Sequence, residues 1–339
     1  MKKSCLFALP LFFASFVWAQ TFNATPLTDF HPGELYLNTY QGTLYEGSNS
    51  MPADHDADGR NAAARVQPLD AQGHPSRFGK IAVVGIGMSN WTDELCESRS
   101  QCTSQSFLGA TRSDPQVNHS TLVIVDCAKP GQAADRWLDD KFLNYSYCKS
   151  QLQRQGLTEA QVQVVLYKDA LEFPTQSLKP GTVCDAQSRI DACHYEHEVG
   201  ITARFMKQRY PNLQQMFLHS RIYGGYAKPR TLNPEPFAYE YGFATKWLIE
   251  AQIQQLRTGT IDDTAGPLDY ASAPWIAWGQ YFWASGRIPR NDGLTWLPQD
   301  FNLSDMTHPS PGAVTKVSTM LVNFYLQSPY APWFSAQGN

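Results

Sequence analysis

Apolar residues fall along this chain in three textures. Residues 6–18 form one apolar run behind Met1-Lys2-Lys3. Residues 20–78 hold only short apolar stretches such as Leu35-Tyr36-Leu37, broken by Pro32-Gly33, Gly47-Ser48-Asn49 and Gln72-Gly73-His74-Pro75. Turn formers at this density predict a lead-in of hairpins and loops. From residue 79 onward, compact runs rich in β-branched residues alternate with segments whose apolar positions recur every three or four residues. The runs at 80–85, 121–125, 163–167, 215–218 and 274–278 predict buried strands, and 134–153, 197–210, 240–256 and 312–326 predict amphipathic helices. Strand and helix in alternation predict an α/β fold, a doubly wound and mostly parallel sheet flanked by helices, which binds ligands beyond the carboxyl ends of its strands.

The 339 residues show no internal repeat or low-complexity tract, so one domain over 79–339 with an N-terminal extension over 20–78 is the simplest organisation. Residues 1–19 read as a secretory signal cut near Ala19-Gln20, because the apolar run is shorter than the roughly 20 residues needed to span a bilayer. Nothing comparable follows it, so no membrane span is expected in the mature chain, which would be secreted or periplasmic. Seven cysteines include Cys5 in the leader. The remaining six suit an oxidising compartment, and proximity favours the pairs 96–102, 127–148 and 184–193 among the alternatives. A net charge of −4 with 17% charged residues leaves no basic footprint for nucleic acid. Nine tryptophans raise the prospect of sugar stacking, and the segment from Trp275 to Trp283 could line such a platform, although alternation along a strand would make part of it core.

Two segments carry candidate chemistry. At the carboxyl end of the first strand, Val84-Gly85-Ile86-Gly87-Met88-Ser89-Asn90-Trp91 presents a serine where the strand turns into the following segment. The glycines leave room for a substrate carbonyl, and the Ser89 N–H could help bind an oxyanion. Near the other end, Ser304-Asp305-Met306-Thr307-His308-Pro309-Ser310 precedes the last predicted helix. His308 would act as general base toward Ser89, and Asp305 would hold the imidazole in the right tautomer.

Gly87-Met88-Ser89-Asn90 resembles the first block of SGNH/GDSL hydrolases in the Gly-x-Ser-Asn version of sialate O-acetylesterase-like carbohydrate esterases. Asp305-Met306-Thr307-His308-Pro309-Ser310 resembles the family's final Asp-x-x-His block. The resemblance implies a flavodoxin-like three-layer fold and an ester hydrolase with Ser89, Asp305 and His308 as its catalytic residues. It also implies an oxyanion glycine after the second strand, where Gly131 of Ala128-Lys129-Pro130-Gly131-Gln132 is the candidate. The family's third block usually ends in an amide side chain; here Lys168 of Val165-Leu166-Tyr167-Lys168-Asp169 takes that place. An ammonium could serve the oxyanion by a charge-assisted hydrogen bond, or pair with Asp169 or a substrate carboxylate and leave the task to Ser89 and Gly131. Asn90, Gln132, Arg221 and Tyr223 are candidate substrate contacts, the last two from His219-Ser220-Arg221-Ile222-Tyr223 beyond the fourth strand.

Two metal-like patterns are weaker. Asp54-His55-Asp56-Ala57-Asp58-Gly59 has the alternating carboxylates of a calcium loop, but Arg65 stands where an EF-hand closes with Glu. His194-Tyr195-Glu196-His197-Glu198 lacks a third ligand at zinc spacing. No metal and no cofactor are expected. The expected activity is removal of acetyl or other small acyl groups, from a saccharide or else from a lipid or aryl ester. A binding protein on the same scaffold with weakened chemistry is the other class.

Overall fold

The computed structural model describes residues 22–96, 102–227 and 232–337, so the leader expected at 1–19 lies outside the described residues. The lead-in opens with a short antiparallel hairpin, β1 (Leu35–Tyr36) and β2 (Tyr40–Gln41). A helix that turn propensity did not announce follows, α1 (Ala53–Ala64). It takes in the calcium-like segment. Asp54 and Asp56 sit in its first turn, where they complement the helix dipole. Asp54 pairs with Arg257, Asp56 with Arg60, and Asp58 accepts the Tyr270 hydroxyl at 2.8 Å. Gly59 lets the helix lie on the start of the last strand, because a Cβ there would stand 2.3 Å from the Trp275 ring.

Five apolar runs form the sheet: β3 (Ile81–Gly87), β4 (Leu122–Asp126), β5 (Val162–Lys168), β6 (Gln215–Leu218) and β7 (Trp275–Trp278). All neighbours are parallel, in the order β4-β3-β5-β6-β7. Strands buried on both faces need no alternation of polarity, and every residue of β3, β5, β6 and β7 is buried. The helices are α2 (Ser89–Cys96), α3 (Phe107–Ser113), α4 (Asn144–Arg154), α5 (Asp191–Arg209), α6 (Phe237–Thr258) and α7 (Pro311–Gln327). α2, α3 and α7 pack together, as do α5 and α6, and Tyr145 of α4 meets Phe205 of α5 with ring centroids 5.0 Å apart. The result is the three-layer, doubly wound α/β fold that the alternation predicts.

One helix expectation needs correction. The helix predicted over 134–153 is a single 3-10 turn at Ala134–Arg136, a loop, and then α4. The Asp139 carboxylate accepts the Lys141 N–H at 2.8 Å, a local turn that competes with helix. α2 and α3 are too short for periodicity to reveal.

The aromatic segment is core rather than platform: Trp275, Trp278 and Trp283 are all buried. Their indole N–H groups donate to His55 O, Leu44 O and Glu235 Oε1, at 3.1, 2.8 and 2.7 Å. The lead-in is fastened to the sheet domain by the Trp278 bond and by Tyr239, whose hydroxyl donates to Thr25 O at 2.6 Å. Disulfides join Cys96 to Cys102, Cys127 to Cys148 and Cys184 to Cys193. Among the described residues no helix is long and apolar enough to cross a membrane.

Candidate active site

The chain leaves β3 toward β4 on one side of the sheet, then returns to β5 on the other. The carboxyl ends of β3 and β5 therefore frame the crevice that such a strand order opens. Gly87 ends β3 beside Lys168 of β5, and a Cβ at Gly87 would sit 2.1 Å from Lys168 O. Only glycine permits this approach. After Met88 the chain enters α2 with Ser89 as its first residue, so the Ser89 N–H has no acceptor within its own helix.

The loop before α7 is built to deliver a histidine to this point. It is closed at its base by Asn302 N–H to His308 O at 2.8 Å and Ser310 N–H to Asp300 O at 2.9 Å. Ser310 then caps α7, with Pro311 in the first turn. Within the loop Asp305 Oδ1 accepts the N–H groups of Thr307 and His308, at 2.8 and 2.9 Å. Its other oxygen, Oδ2, lies 2.9 Å from His308 Nδ1. His308 Nε2 in turn lies 2.7 Å from Ser89 Oγ. With Nδ1–H donating to the carboxylate, Nε2 is left as acceptor for the serine hydroxyl. Burial alone would raise the Asp305 carboxyl, but the two N–H groups and the imidazole outweigh it and hold the group below its ordinary value. α7 packs against α2, which is why this loop arrives over the first turn of α2.

The other predicted residues divide. Asn90 is buried, and its amide donates to Thr307 O at 3.0 Å; it braces the histidine loop instead of facing substrate. Gly131 lies in the turn Lys129-Pro130-Gly131-Gln132, closed by Gln132 N–H to Lys129 O at 3.1 Å, with φ +71° at Gly131. Lys129 N–H donates to Gly87 O at 2.9 Å, hanging this turn from the strand that carries Ser89. Gly131 is exposed and Gln132 half-buried. Tyr223 is buried, and its hydroxyl donates to Phe22 O at 2.6 Å, a tie to the lead-in rather than a substrate contact. Arg221 is buried, and its Nε and Nη1 have no hydrogen-bond partner among the described residues.

Lys168 differs most from expectation. It is fully buried and ion-paired with Glu94 of α2, also fully buried. Its ammonium lies 5.6 Å from the Trp91 ring centroid and 5.2 Å from that of Phe282. Burial pulls the pair toward neutrality, Lys168 down to about 8 and Glu94 upward, while each partner opposes the shift in the other. An ammonium so committed braces α2 against β5 and is not presented to an oxyanion. Glu94 was not singled out in the sequence. Its one signal is register: it follows Ser89 by five residues in a helix whose apolar members Trp91 and Leu95 face the sheet.

The second histidine near this edge, His219, is buried, and burial pushes it down to about 3. Its Nδ1 accepts the Gln280 N–H at 2.9 Å, leaving Nε2–H for the Tyr325 hydroxyl at 2.9 Å. It is a neutral structural residue.

No known protein family and no curated protein matches the sequence of this chain. Among solved structures it is similar to a protein from Arabidopsis thaliana, with 11% identity and a TM-score of 0.37 over 72% of this chain and 99% of that one. It is also similar to SsfX3, a salicylyl-acyltransferase from a tetracycline biosynthetic pathway, with 10% identity and a TM-score of 0.33 over 74% of this chain and 55% of that one.

Proposed function

We propose that this protein is an exported serine carboxyl-ester hydrolase of SGNH type, acting on acetyl or other small acyl esters. The observation that carries the reading is the hydrogen-bonded series Ser89 Oγ, His308 Nε2, His308 Nδ1, Asp305 Oδ2, at 2.7 and 2.9 Å. Nucleophile, base and orienting carboxylate in this relation are what acyl transfer to serine requires. Ser89 Oγ attacks the acyl carbon while His308 Nε2 takes its proton. The oxyanion forms against the Ser89 N–H, which has no acceptor within its own helix, with the Gly131 turn as second donor. His308 returns the proton to the leaving alcohol, and water then hydrolyses the acyl-serine. Export is supported by the residue pattern of 1–19 and by the three disulfides. A saccharide as the alcohol rests on the Gly-x-Ser-Asn resemblance alone, since the aromatic segment that could have lined a platform is buried.

An alkyl fluorophosphonate distinguishes the esterase from a binding protein on the same scaffold. It should label the chain at one residue, and Ser89→Ala should abolish both labelling and hydrolysis of 4-nitrophenyl acetate, by about 10³-fold or more. Labelling or turnover that survives in a folded Ser89→Ala protein would overturn the proposal. A panel of acetylated sugars, aryl esters and short-chain lipids then assigns the alcohol.

A further inference from the structure

A second site lies among residues that the esterase reading does not use. Hairpin β1–β2, the Cys184–Cys193 loop and helices α5 and α6 together line a cavity of about 750 Å³. Four carboxylates belong to its wall: Glu46, Glu196, Glu250 and Asp262. Among the described residues the only cationic side chain in the wall is Lys246, and it is already engaged. Its ammonium donates to Gln41 O at 2.9 Å and Gly42 O at 2.7 Å, and stands 3.7 Å from Glu250 Oε1.

Glu196 is the decisive residue. It lines the cavity yet is only 3% exposed, and no hydrogen bond or ion pair satisfies its carboxyl among the described residues. Buried carboxylates are ordinarily paired. This one sits with Asp262 and Glu250 as its electrostatic neighbours, and burial followed by these two charges drives it well above its ordinary value. Burial likewise pushes Glu250 up to about 7, Glu46 adding to the effect and Lys246 opposing it. Glu196 thus lies in the cavity wall among acids, with no positive partner of its own to offset its burial.

The shape of the cavity indicates the kind of cation. The described residues contain no group of His, Cys, Asp and Glu arranged to hold a metal ion. The space is far larger than a bare ion needs and is flanked by aromatic rings. Trp247 is half-buried at this cavity, whereas the other described tryptophans are buried. Its ring centroid lies 5.7 Å from that of Tyr40, also in the wall. Carboxylates beside an aromatic face suit an ammonium group attached to a carbon skeleton.

We propose that this cavity binds a protonated organic amine, with its ammonium at Glu196 and Glu250 and its carbon skeleton against Trp247. The site shares no residue with the Ser89 centre, so the inference stands apart from the esterase reading.

Isothermal titration of the full chain with two amines and their neutral counterparts tests it: glucosamine against N-acetylglucosamine, and cadaverine against 1,5-pentanediol. At least one amine should bind one to one, with its neutral counterpart at least ten-fold weaker. Preference for glucosamine would identify an amino sugar, and preference for cadaverine a linear amine. Glu196→Gln should weaken binding at least ten-fold while melting no lower than wild type, and Ser89→Ala should bind like wild type. If Glu196→Gln does not fold, Glu250→Gln replaces it with the same expectation for binding. No binding of either amine at millimolar concentration, equal binding of the neutral counterparts, or undiminished binding by the folded Gln variant would overturn the proposal.

Discussion

Asp305 divides its two oxygens between two tasks, one shaping the loop and the other holding the imidazole. Asp305→Asn keeps the shape but puts an amide where the carboxylate fixes the tautomer. It should lower kcat on 4-nitrophenyl acetate by on the order of 10⁴-fold with KM little changed. A loss confined to KM would mean that the residue only positions substrate. Lys168 offers a second contrast. Lys168→Met would strand Glu94 in the core, at a cost of about 3–5 kcal/mol, and Lys168→Met with Glu94→Leu should recover most of it. If Lys168 braces α2 and does no chemistry, the folded double variant should keep kcat within about ten-fold of wild type, and a collapse of kcat at restored stability would reinstate the ammonium in the oxyanion site.

Residue roles were legible in proportion to how local their evidence is. Asp305 and His308 meet within one short loop, so three-residue spacing already suggests the contact. The partner of Lys168 lies 74 residues away, on a helix that periodicity did not detect. The roles of Asn90 and Tyr223 were hidden for the same reason, since each is spent on a carbonyl more than 200 residues distant.

At the scale of elements, the sheet was readable because its strands are buried on both faces and stand out as apolar runs. The lead-in was not, because α1 is stabilised by tertiary contacts of its carboxylates and of Gly59 that propensity does not encode. The Cys127–Cys148 disulfide ties the sheet to a flanking helix. It joins the residue just after β4 to the middle of α4 and closes a loop that contains the Gly131 turn. Removing it with Cys127→Ala and Cys148→Ala should cost about 3 kcal/mol by loop-closure entropy. The turn's anchor from Lys129 N–H to Gly87 O should loosen with it, so kcat should fall together with the melting temperature. Unchanged kcat in the folded variant would separate the turn from the oxyanion.

For the molecule as a whole, burial leaves a mark on the pH dependence of folding. Glu235, Glu240 and Glu250 are each pushed up to about 7 by burial, from an ordinary value of 4.5. Between these values the folded protein holds protons that the unfolded chain has released. Their contribution to stability is therefore complete below 4.5 and is lost as pH rises through about 7. The melting temperature should fall by several degrees from about pH 5.5 to about pH 8.5, and Glu250→Gln should flatten part of that slope. A flat profile for wild type would mean that these carboxyls are ionised in the folded state.

The contact between Ser89 and His308 bridges 219 positions of the chain. The serine belongs to the first strand–helix unit of the sheet and the histidine to the last. A ribosome finishes the former long before the latter leaves the exit tunnel, and a chain truncated before residue 305 would carry an intact but unactivated hydroxyl. On the esterase reading, the rate at which Ser89 reacts with a phosphonate would report whether the two ends of the sheet domain have closed on each other. Such a reaction would be a chemical stopwatch for the meeting of the two ends, readable on a gel without any optical probe.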